Sequence, residues 1–265
     1  MTRNDEWGLI GKVAIVTGGG SKGDGIGNGR AAAILLARAG AKVFVVDREL
    51  ALAERTVQMI ESEGGTAVAV AYDVTQESDC VAMVRDVMSR WGRLDCLDNN
   101  VGFGTRGTVV EESYEQWMRI IRTNVDSMFL AAKHAIPAMI RSGGGAIVNI
   151  SSISALRPHG LAAYTTSKGA VNALTQAMAI DHGKDGIRVN AVLPGPMYTP
   201  VVYANGMSEA TRETRRNASV LHREGTGWDV GAAVRFLLSE QARYITGQLL
   251  QVDGGIGLVS PMLQI

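Results

Sequence analysis

The sequence predicts a single α/β domain: a doubly wound parallel sheet of about seven strands with helices on both faces. Three observations carry that expectation. Short β-branched runs alternate with longer helical patterns along all 265 residues. The strand candidates are apolar almost throughout rather than at every second residue, the mark of strands covered on both faces. A loop with seven glycines between positions 18 and 29 joins the first strand to the first helix, as in nucleotide-binding βαβ units.

Each element follows from local signals. K-V-A-I-V-T (12–17) is a β-branched run stopped by the glycines, hence a strand. Residues 30–39 carry helical apolar spacing and stop at Gly40. A-K-V-F-V-V-D (41–47) is the second strand, and 49–63 a helix ended by Gly64-Gly65. T-A-V-A-V-A-Y-D-V (66–74) is the third strand and 77–91 the third helix. L-D-C-L-D-N-N (94–100) is the fourth strand, followed by helical spacing from 113 to 141. A-I-V-N-I-S-S (146–152) is the fifth strand and 162–184 a helix. Residues 187–195 form a sixth strand, 229–239 a helix and 247–255 a last strand. Residues 196–227 carry no strand signal and are rich in arginine. They are expected to cover the carboxyl edge of the sheet as a substrate-side lid, because ligands of such sheets bind at that edge. No linker, repeat or low-complexity tract interrupts the pattern, so one domain is expected over 1–265.

Composition excludes several function classes. Lysine plus arginine and aspartate plus glutamate both number 26, for a formal net charge of zero. Electrostatic capture of nucleic acid or an anionic membrane is not expected. The N-terminus lacks the apolar core of a secretion signal, and no apolar run reaches the ~18 residues of a membrane span. Cys80 and Cys96 have no metal-ligand spacing. They read as reduced thiols of a cytoplasmic protein without a metal site.

The glycine loop has a chemical reading. It leaves backbone N–H groups free at a helix N-terminus, where they and the helix dipole suit a pyrophosphate. Asp47, ending V-F-V-V-D, can accept both ribose hydroxyls of an adenosine and would repel a 2′-phosphate, which favours NAD over NADP. Arg48 and Lys22 pull the other way, since either can hold a 2′-phosphate. Asp47 can also cap the helix that begins at Glu49.

The remaining motifs name a family. Y-T-T-S-K (164–168) lies on a helix, with N-I-S-S (149–152) on the strand before it. D-N-N-V-G (98–102) ends the fourth strand, T-N-V-D-S (123–127) lies in the long helix, P-G-P-M-Y-T-P (194–200) follows the sixth strand, and I-T-G-Q-L-L-Q-V-D-G-G (245–255) closes the sheet. In this order they resemble the short-chain dehydrogenase/reductase family, from Gly11 to Gly255. The resemblance implies a sheet ordered 3-2-1-4-5-6-7 and hydride transfer between NAD(H) and a secondary alcohol or ketone. The chemistry is sensible in its own terms. Tyr164 and Lys168 are one helical turn apart, so they share a face. A neighbouring ammonium lowers a phenol's pKa, a serine hydroxyl can hold the substrate oxygen, and Tyr164 then handles the proton on that oxygen.

The resemblance assigns Asn124, Ser152, Tyr164 and Lys168 to catalysis. Lys168 also binds the nicotinamide ribose, and Asn124 holds a water behind it. Cofactor contacts carried over by position are Gly18, Ser21, Lys22, Ile26, Gly27, Asn28 and Gly29 in the loop, then Asp47 and Arg48. Asp73 and Val74 flank the adenine; Asn100, Val101 and Gly102 line the adenosine-ribose side. Ile150, Pro194, Gly195, Met197 and Thr199 surround the nicotinamide, with Thr199 on its carboxamide. Phe103, Ser154, Leu156, His159 and Tyr203 are expected around a largely hydrophobic substrate. Arg212, Arg215, Arg216 and Arg223 could hold an anion, but a solvated helix face is the stronger reading. Family members commonly form tetramers through the helices at 113–141 and 162–184 and the C-terminal strand, and the apolar tail 257–265 can pack across such an interface. Two rival readings stay open: an NADPH-dependent ketoreductase of the same fold, and a non-catalytic dinucleotide-sensing protein.

Four details depart from the family pattern or leave a choice. Val101 stands where alanine is usual, and Asp98 where an apolar strand residue is usual; a buried carboxylate needs a partner, and the sequence names none. The usual spacing to the tyrosine points to Ser151, whereas the strand motif points to Ser152. Loops vary in length more readily than strands, so Ser152 is chosen, with a one-residue deletion near 157–160. In the glycine run, G-N-G-R-A-A-A-I-L-L-A-R-A-G (27–40) matches the family helix without a gap when Gly27 and Gly29 are the motif pair. Choosing Gly25 and Gly27 forces two extra residues into the helix and turns its packing face by about 200°. The cost of the first choice is a five-residue insertion within 19–26, expected to bulge over the pyrophosphate and adenosine ribose with Ser21 and Lys22 in reach.

Overall fold

The computed structural model describes residues 5–204 and 206–259. Its strands are β1 (Val13–Thr17), β2 (Lys42–Asp47), β3 (Thr66–Ala71), β4 (Cys96–Asn99), β5 (Gly145–Ile150), β6 (Ile187–Pro194) and β7 (Leu249–Val252). The helices are α1 (Asn28–Arg38), α2 (Leu50–Ser62), α3 (Glu77–Trp91), α4 (Tyr114–Ile121), α5 (Ser127–Arg141), α6 (Ala162–His182), α7 (Pro200–Tyr203), α8 (Glu209–Asn217) and α9 (Gly227–Leu238). All seven strands form one parallel sheet in the order β3-β2-β1-β4-β5-β6-β7, as the sequence implied.

Both sheet faces are buried, which is why the strands carry no alternation. Ala14 and Val16 face one apolar cluster with Leu36 of α1 and Val230 and Val234 of α9. Val13 and Ile15, one residue out of phase, face a second cluster with Met83 of α3 and Ala131 and Ala135 of α5. Register brings the carboxyl ends together: Thr17 lies opposite Asn99, and Asn99 opposite Asn149. A buried polar ladder fixes this edge. Asn99 Nδ2 donates to Asn149 Oδ1 at 2.9 Å, and Asn149 Nδ2 donates to Thr175 Oγ1 of α6 at 2.9 Å.

Several boundaries differ from expectation for local reasons. β3 stops at Ala71 because Asp73 folds the chain into a turn, accepting both the N–H and the hydroxyl of Thr75. The helix read over 113–141 is capped by Ser113 and divided by a π-type turn over Arg122–Asp126. α9 begins at Gly227 because Thr226 and Asp229 form a capping box ahead of it. The segment 196–227 holds two helices, α7 and α8. Of the tail, 260–265 lies outside the described residues.

Candidate active site

α1 begins at Asn28, with Gly27 as its N-cap and Gly29 in its first turn. Gly29 is required by contact: a Cβ there would lie 2.3 Å from the Gly18 carbonyl oxygen. Gly18 itself has φ +61°, a left-handed conformation glycine adopts without strain. The glycine pair at the helix start is thus 27 and 29. Gly25 lies elsewhere, against Pro200 and Tyr203 of α7.

A cleft of about 250 Å³ opens at the carboxyl ends of β4, β5 and β6. Of the residues expected to serve cofactor and catalysis, Asn28, Asn100, Gly102, Ile150, Ser152, Tyr164, Lys168, Pro194, Gly195, Met197 and Thr199 line it. Gly18, Ser21, Lys22, Ile26, Gly27, Asp47 and Arg48 belong to the glycine loop and the end of β2 beyond its rim. Asp47 accepts the Gly20 N–H at 3.2 Å and the Glu49 N–H at 3.1 Å; α2 begins one residue later than expected, at Leu50, and Asp47 bonds the residue before the helix rather than capping its first turn. Val101 packs beside Gly18. Val74 turns its side chain into the core with Cys80 and Met83.

Two serines end β5 and diverge. Ser151 Oγ donates to the Lys168 carbonyl at 3.0 Å and so ties the strand to α6. The Ser152 hydroxyl accepts the Ser154 N–H at 3.1 Å and shares the cleft wall with Tyr164, whose pKa its proximity lowers. Lys168 Nζ donates to the Ile150 carbonyl at 2.7 Å and stands 5.7 Å from the centroid of the Tyr164 ring.

The electrostatics correct one expectation. Burial pushes the Tyr164 hydroxyl above its ordinary 10.0 and pulls Lys168 down from 10.5 to about 7. Desolvation disfavours the charged form of each group. Burial, not the ammonium-to-phenol attraction expected from the Tyr-x-x-x-Lys spacing, is the main cause of both shifts.

Asn124 sits in the π-type turn, fully buried. Its Oδ1 accepts the Phe103 N–H at 2.9 Å, and its Nδ2 donates to the Phe103 carbonyl at 2.8 Å and to Ser167 Oγ at 2.9 Å. The side chain thus clamps the loop after β4 and has no donor left for a water. π-type turns concentrate at functional sites, and here one aims the asparagine.

None of the five residues expected around the substrate lines this cleft. Phe103 lies beneath the guanidinium of Arg119, 5.0 Å from its ring centroid. Leu156 and His159 are exposed, Ser154 is buried behind Ser152, and Tyr203 faces Gly25 and the Tyr198 ring. The arginines of α8 are not simply a solvated face either. Arg212 and Arg215 converge on the buried Glu224, and Arg215 donates to the Met197 carbonyl at 3.0 Å on the cleft wall. Only Arg216 pairs outward, with Glu209 and Glu213. Gly104 went unnoticed in the sequence, yet a Cβ there would lie 2.7 Å from the Tyr164 ring. Arg30 was missed too, because nothing local marks an arginine in a first helical turn as buried. Among the described residues, no helix is long and apolar enough to cross a membrane and no group of side chains has metal-ligand geometry.

Comparison with known proteins places this geometry. A family model described as enoyl-(acyl carrier protein) reductase matches residues 20–257. The 7alpha-hydroxysteroid dehydrogenase of Clostridium sardiniense is 39% identical over 258 residues, 96% of each chain. The cyclopentanol dehydrogenase of Comamonas sp. is 38% identical over 245 residues, 92% of this chain and 96% of that one. A solved structure from Burkholderia xenovorans, classed with the short-chain dehydrogenases/reductases, superposes with a TM-score of 0.93 at 36% identity, covering 96% of this chain and 99% of the other. The chain belongs to the short-chain dehydrogenase/reductase family of oxidoreductases.

Proposed function

We propose that this protein is an NAD(H)-dependent dehydrogenase of hydrophobic secondary alcohols, working reversibly on the matching ketones. One observation carries the reading: Ser152, Tyr164 and Lys168 converge on the wall of one cleft. The relatives named above act, by their names, on a hydroxysteroid and on cyclopentanol. Both are ring-borne secondary alcohols, and a ring is the substrate shape we infer.

The residues at the glycine loop fit a dinucleotide. The Asn28 Oδ1 is buried with no hydrogen-bond partner among the described residues, on the wall of the cleft and at a helix N-terminus. A side-chain amide there can turn either end to a bound ligand. Gly18 and Gly29 keep the backbone bare where a phosphate would approach. Asp47 keeps free lone pairs on both oxygens for ribose hydroxyls, whereas Arg48 and Lys22 are exposed; this favours NAD over NADP. When bound, the nicotinamide supplies or accepts the hydride.

The chain's own residues handle the proton. Ser152 holds the substrate oxygen beside Tyr164. In the direction of reduction, neutral Tyr164 gives its proton to that oxygen as the alcohol forms. In oxidation it must first lose that proton, so alkaline pH favours that direction. Lys168 and Ile150 order the nicotinamide-ribose side, and Asn124 holds the loop after β4 against α6. The domain works as one unit over 1–265, with 196–227 covering the substrate side. Exposed Met118, Phe129 and Ile180 on α4, α5 and α6 suit the faces through which a homotetramer would form.

The test is a panel of cyclic and open-chain secondary alcohols and ketones, run with NAD and NADP separately on wild type and Tyr164→Phe. Turnover with NAD that collapses in the variant is expected. Absence of dinucleotide binding and turnover with either cofactor would sink the proposal. An NADP preference would move it to the ketoreductase reading.

A further inference from the structure

The residues inserted within 19–26 do more than bulge. They form a strap that runs from Asp47, beyond the rim of the cleft, to α7 beside its wall. At one end, the Gly20 N–H donates to Asp47 Oδ2 at 3.2 Å. At the other, Gly25 lies so close to α7 that a Cβ would stand 2.3 Å from Pro200 and 2.7 Å from the Tyr203 hydroxyl. α7 belongs to the segment after β6, whose Thr199 and Val202 line the cleft.

A strap of this composition, four glycines among the seven residues 19–25 with Ser21, Lys22 and Asp24, has no apolar side chain to fix its path. Arg30 fixes it. The side chain is fully buried in the first turns of α1. Its Nη1 donates to the carbonyls of Gly23 and Gly25, both at 2.7 Å, and its Nη2 to the carbonyl of Ser21 at 2.7 Å. Its Nε donates to Thr56 Oγ1 at 3.0 Å, and Thr56 passes its own proton to the Gly19 carbonyl at 2.8 Å. Four strap carbonyls thus depend, directly or through Thr56, on one guanidinium. A planar fork with five fixed donors can hold several carbonyls at once; an ammonium, with three donors on one atom, cannot span them. The guanidinium makes no ion pair among the described residues. A buried cation without a contacting carboxylate is costly, and a bound dinucleotide diphosphate at the neighbouring helix N-terminus would offset its charge.

We infer that Arg30 is a positioning residue for the dinucleotide: it holds the inserted strap at the rim of the cleft, between Asp47 and α7, and thereby slows cofactor release. This rests on the proposed dinucleotide chemistry. It assigns no new contact to the reacting atoms.

The test compares wild type, Arg30→Lys and Gly25→Ala. Arg30→Lys keeps charge but loses the fork; Gly25→Ala forces the strap off α7 without touching the core. NADH release is followed by fluorescence in stopped flow, and trypsin cleavage after the exposed Lys22 reports the strap in the free protein. Arg30→Lys should release NADH at least about tenfold faster, raise the KM for dinucleotide by a similar factor with little change in the KM for alcohol, and be cut faster at Lys22. Gly25→Ala should shift release in the same direction. Wild-type release and cleavage rates in folded Arg30→Lys would overturn the inference while leaving the dehydrogenase reading intact. Should Arg30→Lys not fold, wild-type release in Gly25→Ala overturns it equally. A wild type that binds neither NADH nor NADPH would instead defeat the functional reading.

Discussion

Replacing Asp98 with valine should make the protein more stable by several kcal/mol at pH 7. Asp98 is fully buried in β4, between Val16 of β1 and Val148 of β5, and both of its oxygens lack a hydrogen-bond partner among the described residues. Cys96, two residues earlier on the same face, joins the cluster under α1 and α9. Burial alone raises the Asp98 pKa well above the ordinary 3.8. Keeping the acid protonated in the folded chain adds a penalty that grows by up to about 1.36 kcal/mol for each pH unit above its ordinary value, until the folded value is reached. Leaving the neutral carboxyl without partners adds about 1–3 kcal/mol. Valine removes both terms and extends a β-branched row. A net gain of about 3 kcal/mol or more is expected, a large fraction of the ~5–15 kcal/mol that holds a domain together.

The sign can be checked by pH. A carboxyl raised in the folded state costs nothing below its unfolded pKa, and the penalty grows as pH rises towards the folded value. The stability gap between variant and wild type should therefore shrink as pH falls from 7 to 5, by at most about 1.4 kcal/mol per unit. Urea unfolding followed by tryptophan fluorescence, at one protein concentration and both pH values, measures it. Asp98→Asn keeps a polar group but cannot titrate, so it should recover only the proton-linked part. A gap that does not change with pH, or an Asp98→Val no more stable than wild type at pH 7, would refute the reasoning.

Other outcomes follow from the site. Ser152→Ala should lower turnover at least about tenfold, since its hydroxyl shares the cleft wall with Tyr164, whereas Ser151→Ala should leave turnover near wild type and cost stability through the lost bond to Lys168. Exchange of those phenotypes in steady-state kinetics and thermal melts would move the role to Ser151. Because burial raises Tyr164, alcohol oxidation should still be increasing at about pH 9; a plateau by neutral pH would contradict it. Lys168, lowered to about 7 from 10.5, is charged in both folded and unfolded chains below 7. Between those values only the unfolded chain holds the proton, so wild type should gain stability over Lys168→Met as pH rises from 7 towards 10. Gly29→Ala should lower the melting temperature and weaken dinucleotide binding, although alanine favours helix by ~1 kcal/mol. Its Cβ would collide with the Gly18 carbonyl, and a gain in stability would show that the loop yields freely.

The fold was legible because its signals are local and repeated. Unbroken apolar strands such as V-A-I-V-T and V-F-V-V-D can only be buried on both faces, and the alternation with helices then leaves a parallel sheet. Helix phase was legible too: an integral number of residues between Gly27 and Gly40 separated the glycine pair at the helix start from Gly25. That Ser152, Tyr164 and Lys168 share one cleft was legible in their types and spacings. Their protonation was not, since a one-turn separation fixes proximity while the balance between attraction and desolvation depends on how deeply both side chains are buried. The substrate wall was not legible either. Loops of unknown course carry it, and Phe103, His159 and Tyr203 turned to Arg119, Arg157 and the strap instead. Sequence by itself thus determined a parallel, doubly wound sheet through periodicity, and its strand order through the family resemblance that the motifs carry. Tertiary structure alone decided where Arg30 points, what Asp98 lacks and which arginines face Glu224. Each depends on atoms brought together from distant segments, which no local pattern records.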